Sequence, residues 1–242
     1  FSPTRLRQTA VVSGLLGERT VKIGQDGISY GAPQKVSDTE TVPDAGLTYE
    51  VIDGTMLYGS YSEVFKAQTW VDASLAPLGP VKGESREFGI KQEFNDGNAV
   101  LTLARFESEQ ENFGEYVTRN VATGLNIYRG IELQSKGYEI ELSGEVLDRL
   151  NMSAGYTYLD MEDENGDDTR VFIPTKQFKL AASYQVPYFN GLNVGGGVRW
   201  QNEIYYGDTE VQGSYALVDL FAQNQLNKHF SVELNLDTVR EE

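Results

Sequence analysis

The chain has 242 residues, with 36 Asp and Glu against 20 Lys and Arg, a formal net charge of −16 and no cysteine. With no basic stripe to displace counterions, nucleic acid is not an expected partner, and without Cys no disulfide framework or thiolate metal site can form. A mean hydropathy of −0.39, with no run approaching the ~18–20 apolar residues of a transmembrane helix, leaves membrane strands open, because a barrel strand shows lipid only every second residue.

Five tight turns punctuate the chain, at Asp53-Gly54, Asn95-Asp96-Gly97, Asp148-Arg149, Asn190-Gly191 and Asn227-Lys228. Asn and Gly tolerate the positive φ that primed hairpin turns demand. Around these turns the pattern predicts strand pairs at 44–51 with 56–65, 86–94 with 99–108, 136–145 with 151–160, 176–186 with 192–206, and 213–225 with 229–237, with a further strand near 5–14. The long connections are expected at 14–42, 66–85, 109–135, 161–175 and 207–212, all rich in Gly, Asp, Asn, Ser and Pro. No helical period competes over a useful length, and no solenoid repeat or domain boundary is evident. The expectation is one β-barrel region over residues 1–242.

Alternation assigns the faces. Phe178, Leu180, Ala182, Tyr184 and Val186 share one side of a strand, opposite Lys179, Ala181 and Ser183. Leu192, Val194, Gly196, Val198 and Trp200 oppose Asn193, Gly195, Gly197 and Arg199, and Phe230, Val232, Leu234 and Leu236 oppose Ser231, Glu233 and Asn235. A soluble β-sandwich would turn the apolar rows against each other. Short turns at one end and long loops at the other are instead how an outer-membrane barrel is written, with apolar rows on lipid and polar rows on the lumen. Charges such as Glu139, Arg199 and Glu233 suit a wide, wet interior. A small independent pore or structural barrel is a further alternative.

Other motifs have plain explanations. His229, the single histidine, stands beside a turn and cannot build a two-histidine metal site, so a solvated turn residue is expected. The acidic run 160–168 suggests a calcium loop, but with Gly166 at the sixth position Met161 falls at the first and Phe172 at the twelfth, where oxygen ligands are required. It reads as a charged external loop. Gly195-Gly196-Gly197 precedes no helix and is no dinucleotide fingerprint; glycine within a strand marks curvature or close approach of another chain element. No residue set supports catalysis, and no cofactor is expected.

Several segments resemble the carboxy-terminal half of TonB-dependent outer-membrane ferric-siderophore receptors, in the group that includes the ferripyoverdine and coprogen receptors. They are Pro43-Asp44-Ala45-Gly46-Leu47-Thr48-Tyr49, Leu57-Tyr58-Gly59-Ser60-Tyr61-Ser62-Glu63, Lys136-Gly137-Tyr138-Glu139-Ile140-Glu141-Leu142, Leu192-Asn193-Val194-Gly195-Gly196-Gly197-Val198-Arg199-Trp200, and Gly213-Ser214-Tyr215-Ala216-Leu217-Val218-Asp219. The resemblance spans about residues 40–237 in order. It implies an all-β antiparallel transmembrane barrel of about 22 strands, of which this chain supplies about 10–11. It further implies an amino-terminal plug, absent here, and import of an iron(III)–siderophore across the bacterial outer membrane. The implied partners are the ferric siderophore, the TonB energy-transducing protein acting through the plug, the lipid bilayer and lipopolysaccharide. Phe1-Ser2-Pro3-Thr4-Arg5 is no signal peptide and Glu241-Glu242 no aromatic terminus, so a piece of a longer protein is expected.

Within that reading, ligand contacts are sought among aromatics and arginines near the long loops. The strand leaving Gly54 carries Tyr61, Phe65 and Gln68 outward, with Trp70 in the next loop; the strand leaving Gly191 carries Arg199, Tyr205 and Tyr206. Rigid aromatics offer area at small entropic cost, and an inward Arg meets an anionic ligand. Trp200 follows the lipid row and is expected in an interfacial girdle.

Overall fold

The computed structural model describes residues 8–22, 35–189 and 191–238, and their ordered elements are all strands. Turn chemistry sets the course. Positive φ occurs at Gly54 (75°), Asn95 (54°), Asp96 (55°), Gly97 (82°), Arg149 (65°) and Gly191 (81°), the turn positions marked out by residue type. Asn190 lies outside the described residues. At the last turn the Asn227 side-chain oxygen accepts the backbone N–H groups of His229 (2.8 Å) and Phe230 (3.1 Å), and His229 itself is exposed.

Eleven strands form one antiparallel sheet in which each pairs with the next. They are β1 (Gln8–Lys22), β2 (Lys35–Ile52), β3 (Thr55–Lys66), β4 (Val81–Phe94), β5 (Ala99–Arg119), β6 (Asn126–Leu147), β7 (Leu150–Asp163), β8 (Lys176–Gln185), β9 (Leu192–Gln201), β12 (Tyr215–Gln225) and β13 (Ser231–Asp237). A separate hairpin, β10 (Ile204–Tyr206) with β11 (Thr209–Gln212), occupies the β9–β12 connection. A sandwich needs two large stacked sheets. The described residues form one.

The register carries each apolar row from strand to strand. Leu101 faces Leu142, Leu142 faces Ala154, Ala154 faces Leu180, Leu180 faces Val198, and Val198 faces Val218. Side chains of this face are exposed on an enormous scale for a protein in water: Leu47, Leu57, Phe88, Leu103, Ile140, Leu220, Val232, Leu234 and Leu236 all belong to the exposed set. A continuous apolar band of that kind is a lipid-facing surface. Toward the long loops it ends in an aromatic row: Tyr138 stacks on Tyr158 (5.3 Å between centroids), and Tyr156, Phe178 and Trp200 follow in register. This is the expected interfacial girdle. One step further out, Arg86, Glu107, Lys136 and Asp160 lie side by side on four adjacent strands with alternating charge.

The opposite face is polar. The Tyr58 hydroxyl donates to Glu87 Oε1 (2.6 Å), the Thr157 hydroxyl to Glu139 Oε1 (3.3 Å), and Lys91 Nζ sits 4.9 Å from the centre of the Tyr58 ring.

All five expected connections are shorter than the sequence suggests, 66–85 losing Lys66 to β3 and its last five residues to β4, and 161–175 its first three to β7. Of 14–42, residues 14–22 and 35–42 are strand. Of 109–135, β5 takes residues to Arg119 and β6 those from Asn126. Of 207–212, β11 takes Thr209–Gln212. The 21 and 22 residues of β5 and β6 are about twice the ~9–11 a strand needs to cross a membrane. Their outer halves stand clear of lipid. The strand expected over 192–206 in turn stops at Gln201, where Asn202 bonds back to the start of β8: its N–H donates to Lys176 O (3.1 Å) and its Oδ1 accepts the Lys176 N–H (2.8 Å).

Candidate functional site

The long-loop end is where residue chemistry concentrates. The β3–β4 connection folds back onto the tall β5–β6 hairpin. Val71 bridges both Pro77 and Ile127, and the Tyr128 N–H donates to Val71 O (2.8 Å). Ala67, Val71, Val81, Ile127, Ile131 and Leu133 are buried there, an apolar core outside the membrane band.

Gln68 is part of that anchorage. It is 5% exposed, and its side-chain amide donates to Gly79 O (2.6 Å) and Asn112 O (2.7 Å). It ties the loop to a bulge in β5, where Asn112 has φ 59°. A side chain so engaged positions the loop through its Nε2, while its Oε1 is buried without a hydrogen-bond partner. Trp70 does reach the surface: it is 43% exposed and lies on the Tyr128 ring at 4.2 Å, while Tyr116 meets Tyr128 edge-on at 5.9 Å. Burial, ring stacking and a buried amide clamp therefore present one aromatic patch.

Asp72 holds the loop's own turn. Its Oδ1 accepts the Ser74 hydroxyl (2.6 Å), the Ser74 N–H (2.8 Å) and the Ala76 N–H (3.0 Å). The Ser74 hydroxyl above all holds this carboxyl below its ordinary value of 3.8. A depressed carboxylate stabilises fully above that ordinary value and loses its contribution as pH falls through the lower folded value. Asp72→Ala at neutral pH should therefore open the turn, measured as faster chymotryptic cleavage after Trp70 in the complete receptor. An unchanged cleavage rate would show that the turn holds without it. Asp163 caps the β7–β8 connection in the same way, accepting the Asn165 (2.9 Å) and Asp167 (3.1 Å) N–H groups, so the acidic run is a capped charged loop.

Tyr61 and Phe65 fall elsewhere. Their parity on β3 is that of Leu57, and Tyr61 pairs with Arg86 and Phe65 with Lys82, on the face that carries the lipid rows. The Tyr61 hydroxyl lies 3.0 Å from Glu63 Oε1 and 3.1 Å from Glu84 Oε2. Arg199 has lumen parity and an ion pair, with Nη2 at 3.3 Å from Asp219 Oδ2. Tyr206 is exposed at the tip hairpin, and Tyr205 is held by its N–H donating to Val171 O (2.9 Å).

That last bond joins two loops around a cleft of about 320 Å³, lined by Tyr158, Arg170, Lys176, Asn202, Glu203 and Tyr205 among others. Trp70 and Arg199 stand outside it. Arg170, Tyr128 and Tyr116 were missed by the sequence reading. Alternating Ile127, Ile131 and Leu133 in the supposed loop were the available sign of strand there; Arg170 gave no sign at all.

A profile for TonB dependent receptor-like β-barrels matches residues 12–239. The chain belongs to the TonB-dependent receptor β-barrel family. Its members of this kind are bacterial outer-membrane proteins, which accounts for the lipid-facing band. The chain is 33% identical to the ferric-pyoverdine BN7/BN8 receptor of Pseudomonas putida, over 99% of its own length and 30% of that protein's. It is 32% identical to the ferripyoverdine receptor of Pseudomonas aeruginosa, over 99% of itself and 31% of that receptor. Among solved structures it superposes on the alcaligin outer-membrane receptor FauA of Bordetella pertussis with a TM-score of 0.77 at 29% identity, covering 98% of this chain and 41% of that one. Against the ferripyoverdine receptor of Pseudomonas aeruginosa bound to ferripyoverdine the TM-score is 0.74 at 30% identity, covering 94% and 32%. The receptor barrel described here thus spans about a third of the length of the curated relatives it matches.

Proposed function

We propose that this chain is the barrel portion of a receptor that takes up iron(III)–siderophore complexes across the outer membrane, energised through TonB and without chemistry on the ligand. The observation that carries the reading is similarity to ferripyoverdine receptors over 99% of the chain, on a sheet whose faces divide into lipid and lumen. The iron complex is cargo. Capture falls to the long-loop end, where an aromatic patch stands on the β5–β6 hairpin and an arginine-bearing cleft lies between the β7–β8 and β9–β12 connections. A plug carried elsewhere in the complete protein would contact TonB. The charged row of Arg86, Glu107 and Lys136, just outside the girdle, would meet the headgroups of lipopolysaccharide, and Asp160 at its end borders the cleft.

The test is binding of iron-loaded pyoverdine and ferrioxamine B to the complete receptor in detergent, followed by ⁵⁵Fe uptake in cells with and without TonB. Saturable binding and TonB-dependent uptake are expected; absence of binding by any ferric siderophore would end this reading. Trp70→Ala should weaken the affinity about two- to twelvefold, the scale of one lost aromatic pairing of about 0.5–1.5 kcal/mol. Trp70→Phe keeps the stack and should keep most of the affinity. Unchanged binding by Trp70→Ala would remove the patch from the site.

A further inference from the structure

Arg170 is unlike the other cations of this acidic chain. Its Nε and Nη2 are buried without a hydrogen-bond partner, and it makes no ion pair among the described residues. Its guanidinium carbon lies 4.8 Å from the centre of the Phe113 ring. Its backbone has φ 57°, a left-handed conformation that costs a non-glycine residue energy. Strain and an orphaned charge thus coincide at one residue. Buried donors without partners are rare in folded proteins and mark a place where something else belongs.

The identity of the two orphaned nitrogens is informative. Nε–H and the adjacent Nη2–H lie along one edge of the planar guanidinium, the edge that grips a carboxylate with two parallel hydrogen bonds. Acids are plentiful around it, since Asp160, Asp168 and Glu203 line the same cleft. Asp160 is already engaged by Lys136 at 3.4 Å, and none of the three is paired with Arg170. Three acids against Arg170 and Lys176 leave the cleft without net positive charge, so long-range attraction will not fill it. Directional bonding will. The Arg170 residue remains partly exposed on the cleft side, which gives an incoming group a route to it.

We propose that Arg170 recognises a carboxylate on the ligand, making this cleft an anion-reading subsite of the receptor. The proposal rests on the siderophore-capture reading above and adds to it the chemical group selected. A carboxylate entering between the two loops draws the guanidinium off Phe113 and satisfies Nε and Nη2 together.

The experiment compares two probes on the complete receptor: iron(III) ferrioxamine B, whose free end is an ammonium, and the same chelate succinylated so that the end is a carboxylate. The wild type should bind the carboxylate form at least tenfold more tightly. Arg170→Gln should abolish that preference, so that the variant binds the two forms equally. Arg170→Lys, which keeps the charge but loses the fork, should retain only part of it and guards against a variant that misfolds. Equal binding of the two probes by the wild type, or a preference that survives in Arg170→Gln, overturns the proposal. If neither probe binds, the capture reading fails for hydroxamates, and Arg170 is judged by succinate alone. Succinate should then protect Arg170 from phenylglyoxal, read by peptide mass, and absence of protection overturns the subsite.

Discussion

Leu180→Arg is expected to destabilise the folded barrel by about 2–4 kcal/mol, the cost of a cation on the lipid face near the middle of a membrane strand. Leu180 sits at the centre of the row running from Leu101 to Val218, with Ala154 and Val198 as its direct neighbours. No water is present at that depth to solvate a guanidinium. The chain supplies its own control one residue away. Lys179 faces the other side, opposite Gly155 and Arg199, and two cations are tolerated there because that side is wet. Ala181→Arg, again on the lumen side, should therefore change stability by no more than a few tenths of a kcal/mol, within the usual range for solvated positions. Urea unfolding of the complete receptor in lipid vesicles measures both. Equal losses from the two substitutions would refute the assignment of faces on which the membrane reading stands.

The same parity explains how much of the fold was legible. Inside the bilayer each strand must show apolar residues on every second position, so the five turn-centred pairs could be read directly from residues such as Val194, Val198 and Leu234. Outside it the constraint vanishes. The outer halves of β5 and β6 alternate glutamates with mixed neighbours, as in Glu109 and Glu111, and resemble loop because water meets both faces. Hydrogen bonding across 18 paired positions, interrupted by bulges near Asn112 and Val117, holds this hairpin together where patterning does not.

The candidate site was legible in part. Trp70 and Tyr205 stand out in the sequence because large aromatics near loop ends are conspicuous. Gln68 stands out in the sequence only by its position, and its clamp is visible only in the folded loop, which brings Gly79 O and Asn112 O to its amide. Tyr61 and Phe65 stand out by height above the turn, but parity with Leu57 puts them on the outer face. Arg170 required the structure, because an unpaired donor is a statement about its surroundings.

Gly195→Val is expected to cost about 2–3 kcal/mol, the scale of overpacking at a filled position. The sequence showed three glycines in one strand and left open what approaches them. In the sheet it is the neighbouring strands themselves. A Cβ built at Gly195 would strike the Ala182 carbonyl oxygen on β8 and come within 2.6 Å of the Phe221 ring on β12. Phe221 pairs directly with Gly195, so its ring lies across the space that a side chain would claim. Backbone cannot retreat without breaking the ladder, whereas a ring can be removed. Phe221→Leu in the Gly195→Val background should thus recover part of the loss, a favourable coupling that a double-mutant cycle isolates. Gly155 is the contrasting case, for nothing lies within 4 Å of its would-be Cβ. Gly155→Ala should be neutral or stabilising by up to about 0.5–1 kcal/mol, because alanine restricts the unfolded chain more than glycine does. Unfolding midpoints in vesicles separate the two glycines. If Gly195→Val proves as harmless as Gly155→Ala, the glycine run is not set by contact between β8, β9 and β12, and its cause must lie in whatever faces the lumen.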